Sequence, residues 1–173
     1  MISPAGAVTT LAGCGEIGLS DGKGAAARFY HPTGIAVDAA GVVFVADYCN
    51  NRIRRITNGV VDTLAGSGAF GNRCGGFADG VGAAAQFNWP DGLALDPATG
   101  HLLVADRFNN RIRSVDPRTG AVSTLAGSGA EGAADGDAAA ASFNQPRDVA
   151  VDAQGGVLVA DWGNHRVRRI ARV

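Results

Sequence analysis

Three aspartates and three arginines recur at one interval in this chain. Asp47, Asp106 and Asp161 each stand five residues before an arginine, at Arg52, Arg111 and Arg166. A carboxylate near a guanidinium is equipment for acid–base work. Yet a residue needed in every copy of a repeat makes a poor unique catalyst, because an active site is asymmetric. An aspartate at a strand end can accept N–H groups of the adjoining turn, and the arginine can return to pair with it. These six are therefore expected to be structural, and no catalytic residue is assigned.

The other reactive side chains are equally sparse. His31, His101 and His165 occupy different places in their repeats, so repeat symmetry cannot bring them together. A two-histidine site at His31, shared across an axis, is the one metal reading available. Cys14, Cys49 and Cys74 include no CxxC pair, which argues against zinc. Three free thiols and a Cys14–Cys74 disulfide both remain open. No GxSxG occurs. The Gly-rich segments around Asp21, Asp79 and Asp135 lack the strand–GxxxxGK[ST]–helix order of a phosphate loop. They read instead as a loop and a short helical turn capped by the aspartate, delivering Phe29, Phe87 or Phe143 as an apolar plug. No cofactor and no metal are expected.

A second constellation is better suited to binding. The short loops "YCNN", "RFNN" and "WGNH" carry Tyr48, Arg107, Phe108, Trp162 and His165, and longer loops add Arg73 and Trp89. Aromatic rings and basic heads on one loop face can stack on flat groups, including unpaired bases. This is the candidate ligand face.

The elements that must position these groups are repeated. Segments beginning at Phe29, Phe87 and Phe143 align as "FYHPTGIAVD", "FNWPDGLALD" and "FNQPRDVAVD", and continue to "NNRIRRI", "NNRIRSV" and "NHRVRRI". Each unit offers four short strands rich in Val, Ile and Leu, bounded by Gly, Asp, Asn or Pro. Runs such as "VVFVA" are apolar on both faces, as expected of a strand sandwiched between sheets. The pattern F-x-x-P-x-G-[IL]-A-[VL]-D … V-A-D-x-x-N-x-R-[IV]-R resembles the NHL-repeat family. Two departures are Arg147–Asp148 in place of x-Gly, and His165 in place of the second Asn. The resemblance implies an all-β fold, a β-propeller of four-stranded antiparallel blades, commonly six in number, and no single activity.

Strand counting adds a constraint. "GAVTTLAG" at 6–13, "GVVDTLAG" at 59–66 and "GAVSTLAG" at 120–127 are three fourth strands, but the first precedes every unit. The single domain 1–173 thus divides into blades at 29–66, 87–127 and 143–173, the last completed by 6–13. Closed propellers have roughly 4–8 blades, so three leave raw sheet faces. The expected partner is a second copy, a homodimer closing a six-bladed ring, with strand 6–11 beside residues 166–170.

Bulk composition agrees. The chain has 173 residues, 46% apolar and 18% charged, with 26 glycines, which favours short strands and many tight turns. Its 15 basic and 16 acidic side chains give a net charge of −1, so no global field draws nucleic acid or anionic membrane. No run reaches the ~18 apolar residues of a span. The N-terminal stretch lacks a basic n-region and an apolar h-region, so no signal peptide is expected. The expected function is a non-catalytic scaffold presenting its loop face to a protein, peptide or small ligand. A metal-assisted lyase or hydrolase, and a binder of single-stranded RNA, are the alternatives.

Overall fold

The computed structural model describes residues 6–68 and 75–171. The chain forms three antiparallel sheets in succession. The first contains β1 (Gly22–Lys23), β2 (Pro32–Val37), β3 (Val43–Asp47), β4 (Arg52–Thr57) and β5 (Val60–Ala65), in the order β1-β5-β4-β3-β2. The second repeats it with β6 (Gly80–Val81), β7 (Pro90–Leu95), β8 (Leu102–Asp106), β9 (Arg111–Val115) and β10 (Ala121–Ala126). The third has only β11 (Pro146–Val151), β12 (Val157–Asp161) and β13 (Arg166–Ile170). The expected four strands per blade thus become five, five and three. The fifth is a two-residue strand from the preceding loop, Gly22 opposite Val61 and Val81 opposite Ala121. Residues 6–13 do not pair with β13 within this chain.

Local chemistry sets the turns. Asp38 Oδ1 accepts the N–H groups of Ala40 and Val42 at 2.9 and 2.8 Å, and Gly41 takes φ of 82°. This side-chain turn joins β2 to β3, and Asp152 repeats it with Gln154 and Gly156. Between β4 and β5 lie Asn58 and Gly59, both at positive φ, the two-residue hairpin that Asn-Gly favours.

The sheets stack face to face. Phe44, Ala46 and Ile53 of the first pack on Phe87, Leu93 and Val104 of the second. Leu103, Ala105 and Ile112 of the second pack on Phe143, Val149 and Val159 of the third. Phe87 and Phe143 are fully buried plugs, whereas Phe29 is half-buried. The first strands approach most closely: a Cβ placed on Gly34 would lie 2.5 Å from Asp91 O. Here glycine is required by space rather than by φ.

Among the described residues no helix is long and apolar enough to cross a membrane. Cys14 is exposed and Cys49 buried. Cys74, the other half of the disulfide raised above, lies outside the described residues.

Candidate functional site

The aspartates that end the second strands sit in a knot built three times. Asp47 accepts the Tyr30 N–H at 2.7 Å, and Asn50 Nδ2 and Arg54 Nη1 at 2.8 Å each. Arg54 also donates to the Ser20 carbonyl and the Asp21 carboxylate, at 2.9 and 2.5 Å. Asp106 with Asn88, Asn109, Arg113 and Asp79 repeats the knot, as does Asp161 with Asn144, Asn164, Arg168 and Asp135.

Two expectations change here. The paired arginine lies seven residues on, not five: Arg54, Arg113 and Arg168 instead of Arg52, Arg111 and Arg166. Both arginines share one strand face, and the carboxylate takes its diagonal neighbour. Arg52 instead donates to Gly68 O at 2.5 Å, in the loop that leaves β5, and Arg111 donates to Ser128 O at 2.7 Å, in the loop that leaves β10. The second change concerns Asp21 and Asp79. They bind arginine, and Thr63 or Thr124, rather than capping the turns Gly24–Ala26 and Gly82–Ala84, which have no side-chain cap.

Burial pushes the Asp106 carboxyl up to about 6, against the pull of Arg113, Asn109 and the Asn88 N–H. Asp47 moves the same way for the same cause. The knot ties one strand end to two loops, with Asp47, Asp106 and Asp161 fully buried and Asp21, Asp79 and Asp135 open to solvent.

The loop-face residues do converge, with Arg107 as their hub. Arg107 Nη1 donates to the Tyr48 hydroxyl at 2.6 Å, and Nη2 to Gln145 Oε1 at 3.0 Å. Its guanidinium carbon lies 4.8 Å from the Phe108 ring centre and 5.5 Å from that of Trp162. Trp89 stands between Tyr48 and Phe108, with ring centres 4.8 and 5.0 Å away. These rings come from three sheets because their loops share one repeat position at one end of the stack. His165 lies in its turn at φ 54°, exposed and outside this group. Its counterparts Asn51 and Asn110 accept the N–H of Trp89 and Gln145 at 2.7 and 2.8 Å. Arg73 lies outside the described residues.

Sequence reasoning missed Asp91, Gln145 and Arg147. Arg147 stacks 3.9 Å above Trp162, and Asp91 lies 4.0 Å from Arg107. Burial raises the Asp91 carboxyl, with Arg107 and Arg147 opposing, and burial also raises the Tyr48 hydroxyl. The departure from the repeat at Arg147–Asp148 was the available signal. Nε of both Arg107 and Arg147 is buried without a hydrogen-bond partner. Phe108 and Trp162 are exposed over the more buried Tyr48 and Arg107, and such rings and guanidinium planes can stack a flat group and pair a carboxylate.

The histidines stay apart. His31 Nδ1 lies 3.3 Å from Cys49 Sγ, and His101 Nδ1 lies 3.0 Å from Ser114 Oγ. Among the described residues no group of three or more His, Cys, Asp or Glu could hold a metal ion.

Known proteins share this pattern. The NHL repeat model matches residues 143–170, and the Teneurin NHL domain model matches residues 10–108. NHL repeat-containing protein 2 of Bos taurus is 33% identical over 156 residues, covering 82% of this chain and 21% of that protein. Protein SUPPRESSOR OF QUENCHING 1, chloroplastic, of Arabidopsis thaliana is 32% identical over 148 residues, covering 82% and 14%. The chain thus spans about a fifth or less of the length of these relatives. An auxiliary nutrient binding protein from Bacteroides ovatus ATCC 8483 superposes with a TM-score of 0.66 at 26% identity, covering 79% of this chain and 36% of that one. Structural neighbours of this kind are β-propellers. Three units in register, the domain model over more than half the chain and relatives above 30% identity agree: the chain belongs to the NHL-repeat family.

Proposed function

We propose that this chain is a non-catalytic binding scaffold, a half-propeller that two copies complete to six blades. Its ligand face is the Arg107 ladder, with Tyr48, Trp89, Phe108 and Trp162 as stacking walls and Arg147 as a second cation. The ligand class is a peptide or small molecule pairing an aromatic group with a carboxylate. The observation that carries this reading is the convergence of rings from three sheets on one guanidinium. The knotted aspartates support a scaffold, since their carboxylates are spent on Arg and Asn. The Bacteroides ovatus neighbour, an auxiliary nutrient binding protein, points the same way.

Both tryptophans of the chain lie in the ladder, so their emission reports on it directly. N-acetyl-phenylalanyl-glutamate should shift that emission saturably, and Arg107→Ala should weaken the apparent affinity by tenfold or more. A single-stranded RNA oligomer that binds instead, with affinity falling steeply as salt rises, would replace this reading with the nucleic-acid one.

A further inference from the structure

The three blades differ most in what covers them. Ile35 is 64% exposed, while its counterparts Leu93 and Val149 are 6% and 5% exposed beneath the preceding sheet. On the opposite side of the stack, Ala105 and Ile112 are buried in the second blade, but Ala160 and Val167 are exposed in the third.

The open side of the first blade carries a groove of about 590 Å³ lined by Gly13, Cys14, Phe29 and His31. Elsewhere in the chain the same place is occupied. At the second blade a Cβ on Gly66 would lie 2.5 Å from Asn51 O, because the 48–52 turn fills the space. At the third, a Cβ on Gly127 would lie 2.6 Å from Asn110 O, because the 107–111 turn does so. At Gly13 it would meet only the Phe29 ring, at 3.5 Å. The chain owns one more such turn, 162–166, and among the described residues no blade stands beside it.

The N-terminal segment is already half in place. Leu11 and Ala12 pack against Ala27, Val45 and Val61. Gly13 N donates to Gly24 O at 3.0 Å, as Gly66 N does to Gly82 O at 3.1 Å. Val8, one turn of pleat before them, is 79% exposed, whereas its counterpart Val61 is 1% exposed. The edge strand β13 offers the fourth-strand position that β5 and β10 take in the other blades.

We infer that a second copy fills both faces in one defined register, an inference that rests on the two-copy ring proposed above. The pairs Arg54–Thr63, Arg55–Asp62 and Ile56–Val61, and their equivalents in β9 and β10, fix it. Arg168 lies opposite the partner's Thr10, Arg169 opposite the partner's Thr9, and Ile170 opposite the partner's Val8. The partner's Thr10 hydroxyl donates to Asp135, as Thr63 does to Asp21 and Thr124 to Asp79, each at 3.2 Å. The 162–166 turn enters the groove, setting His165 at the N–H of the partner's His31, where Asn51 and Asn110 serve inside the chain.

This seam is looser at the axis than the internal joints. Gly34 and Gly92 let neighbouring first strands nearly touch: a Cβ on Gly92 would lie 2.7 Å from the Asp148 Cα. Asp148 stands at the same position in β11 and carries a side chain, its Oδ1 accepting the Val149 N–H at 2.9 Å. β11 therefore cannot come as close to β2 of a second copy, and closure depends on the exchanged outer strand.

The test uses the 173-residue chain. Light scattering should give twice the 17.4 kDa chain mass. Under mild oxidation, Val8→Cys with Ile170→Cys should form an intermolecular 8–170 disulfide, while Val8→Cys with Arg169→Cys, on opposite faces, should not. Asp148→Gly should tighten the dimer about tenfold by relieving overpacking at the seam. A monomer overturns both the ring and this inference. A dimer without the 8–170 link overturns the register and leaves the ring standing. An unchanged dissociation constant for Asp148→Gly overturns the wedge.

Discussion

Leu93 and Ile35 hold the same place in successive blades. Leu93 is packed under Phe44 and Ala46, while Ile35 faces solvent. The ion knots differ the same way but less: the Arg113 side chain is fully buried beside a half-exposed Asp79, while Arg168, in the last blade, is 10% exposed beside an Asp135 that is 86% exposed. Equivalent residues thus have unequal surroundings, and the inequality follows position in the stack. Burial, and with it the energetic weight of each group, comes from the neighbouring sheet and not from the blade itself.

The comparison is broken most severely in the middle blade. Asp106→Ala strands the Arg113 guanidinium without its buried partner, and urea unfolding should show a loss of about 3–5 kcal/mol. Asp161→Ala should cost less in the monomeric state, because Arg168 keeps a small opening to water and a solvent-exposed partner in Asp135. Equal losses would mean that stacking does not set the weight of the knot.

A milder test concerns the joints. Asn110→Ala removes the acceptor that receives the Gln145 N–H between blades two and three. Chemical denaturation should register about 1 kcal/mol, the cost of a half-buried donor left unpaired. His165→Ala, at the equivalent place on the open face, should leave unfolding of a dilute chain unchanged.

The smallest effect is on pH. The Asp106 carboxyl is held near 6, above the 3.8 of a free carboxyl, so folding takes up a proton there. Stability from this group is complete below about pH 4 and is lost as pH rises through 6. Unfolding free energies measured from pH 4 to 7 should fall more steeply for the parent chain than for Asp106→Asn.

Much of this molecule was legible in its sequence. Short strands were visible in "GIAVD" and "VVFVAD", and the shared phase of the loops pointed to Tyr48, Trp89, Arg107, Phe108 and Trp162 as one face. The arginine partner of Asp47 was not legible. Period-two geometry puts Arg52 and Arg54 on the same face. The choice between them is made by the loop that leaves β5, where the Gly68 carbonyl draws Arg52 away. Asp91, Gln145 and Arg147 were missed for a related reason. They hold no repeated chemistry, and only the tight approach of the first strands brings them to the Arg107 ladder.

The sequence by itself determined the number of units and, apart from the two-residue β1 and β6, the type and order of their main strands. These depend on residues within a few positions of one another. Tertiary structure alone decided which of the equivalent groups are buried, which arginine meets which carboxylate, and which loops share a surface. Those outcomes depend on how one sheet lies on the next, and distance across a stack is written in no local pattern.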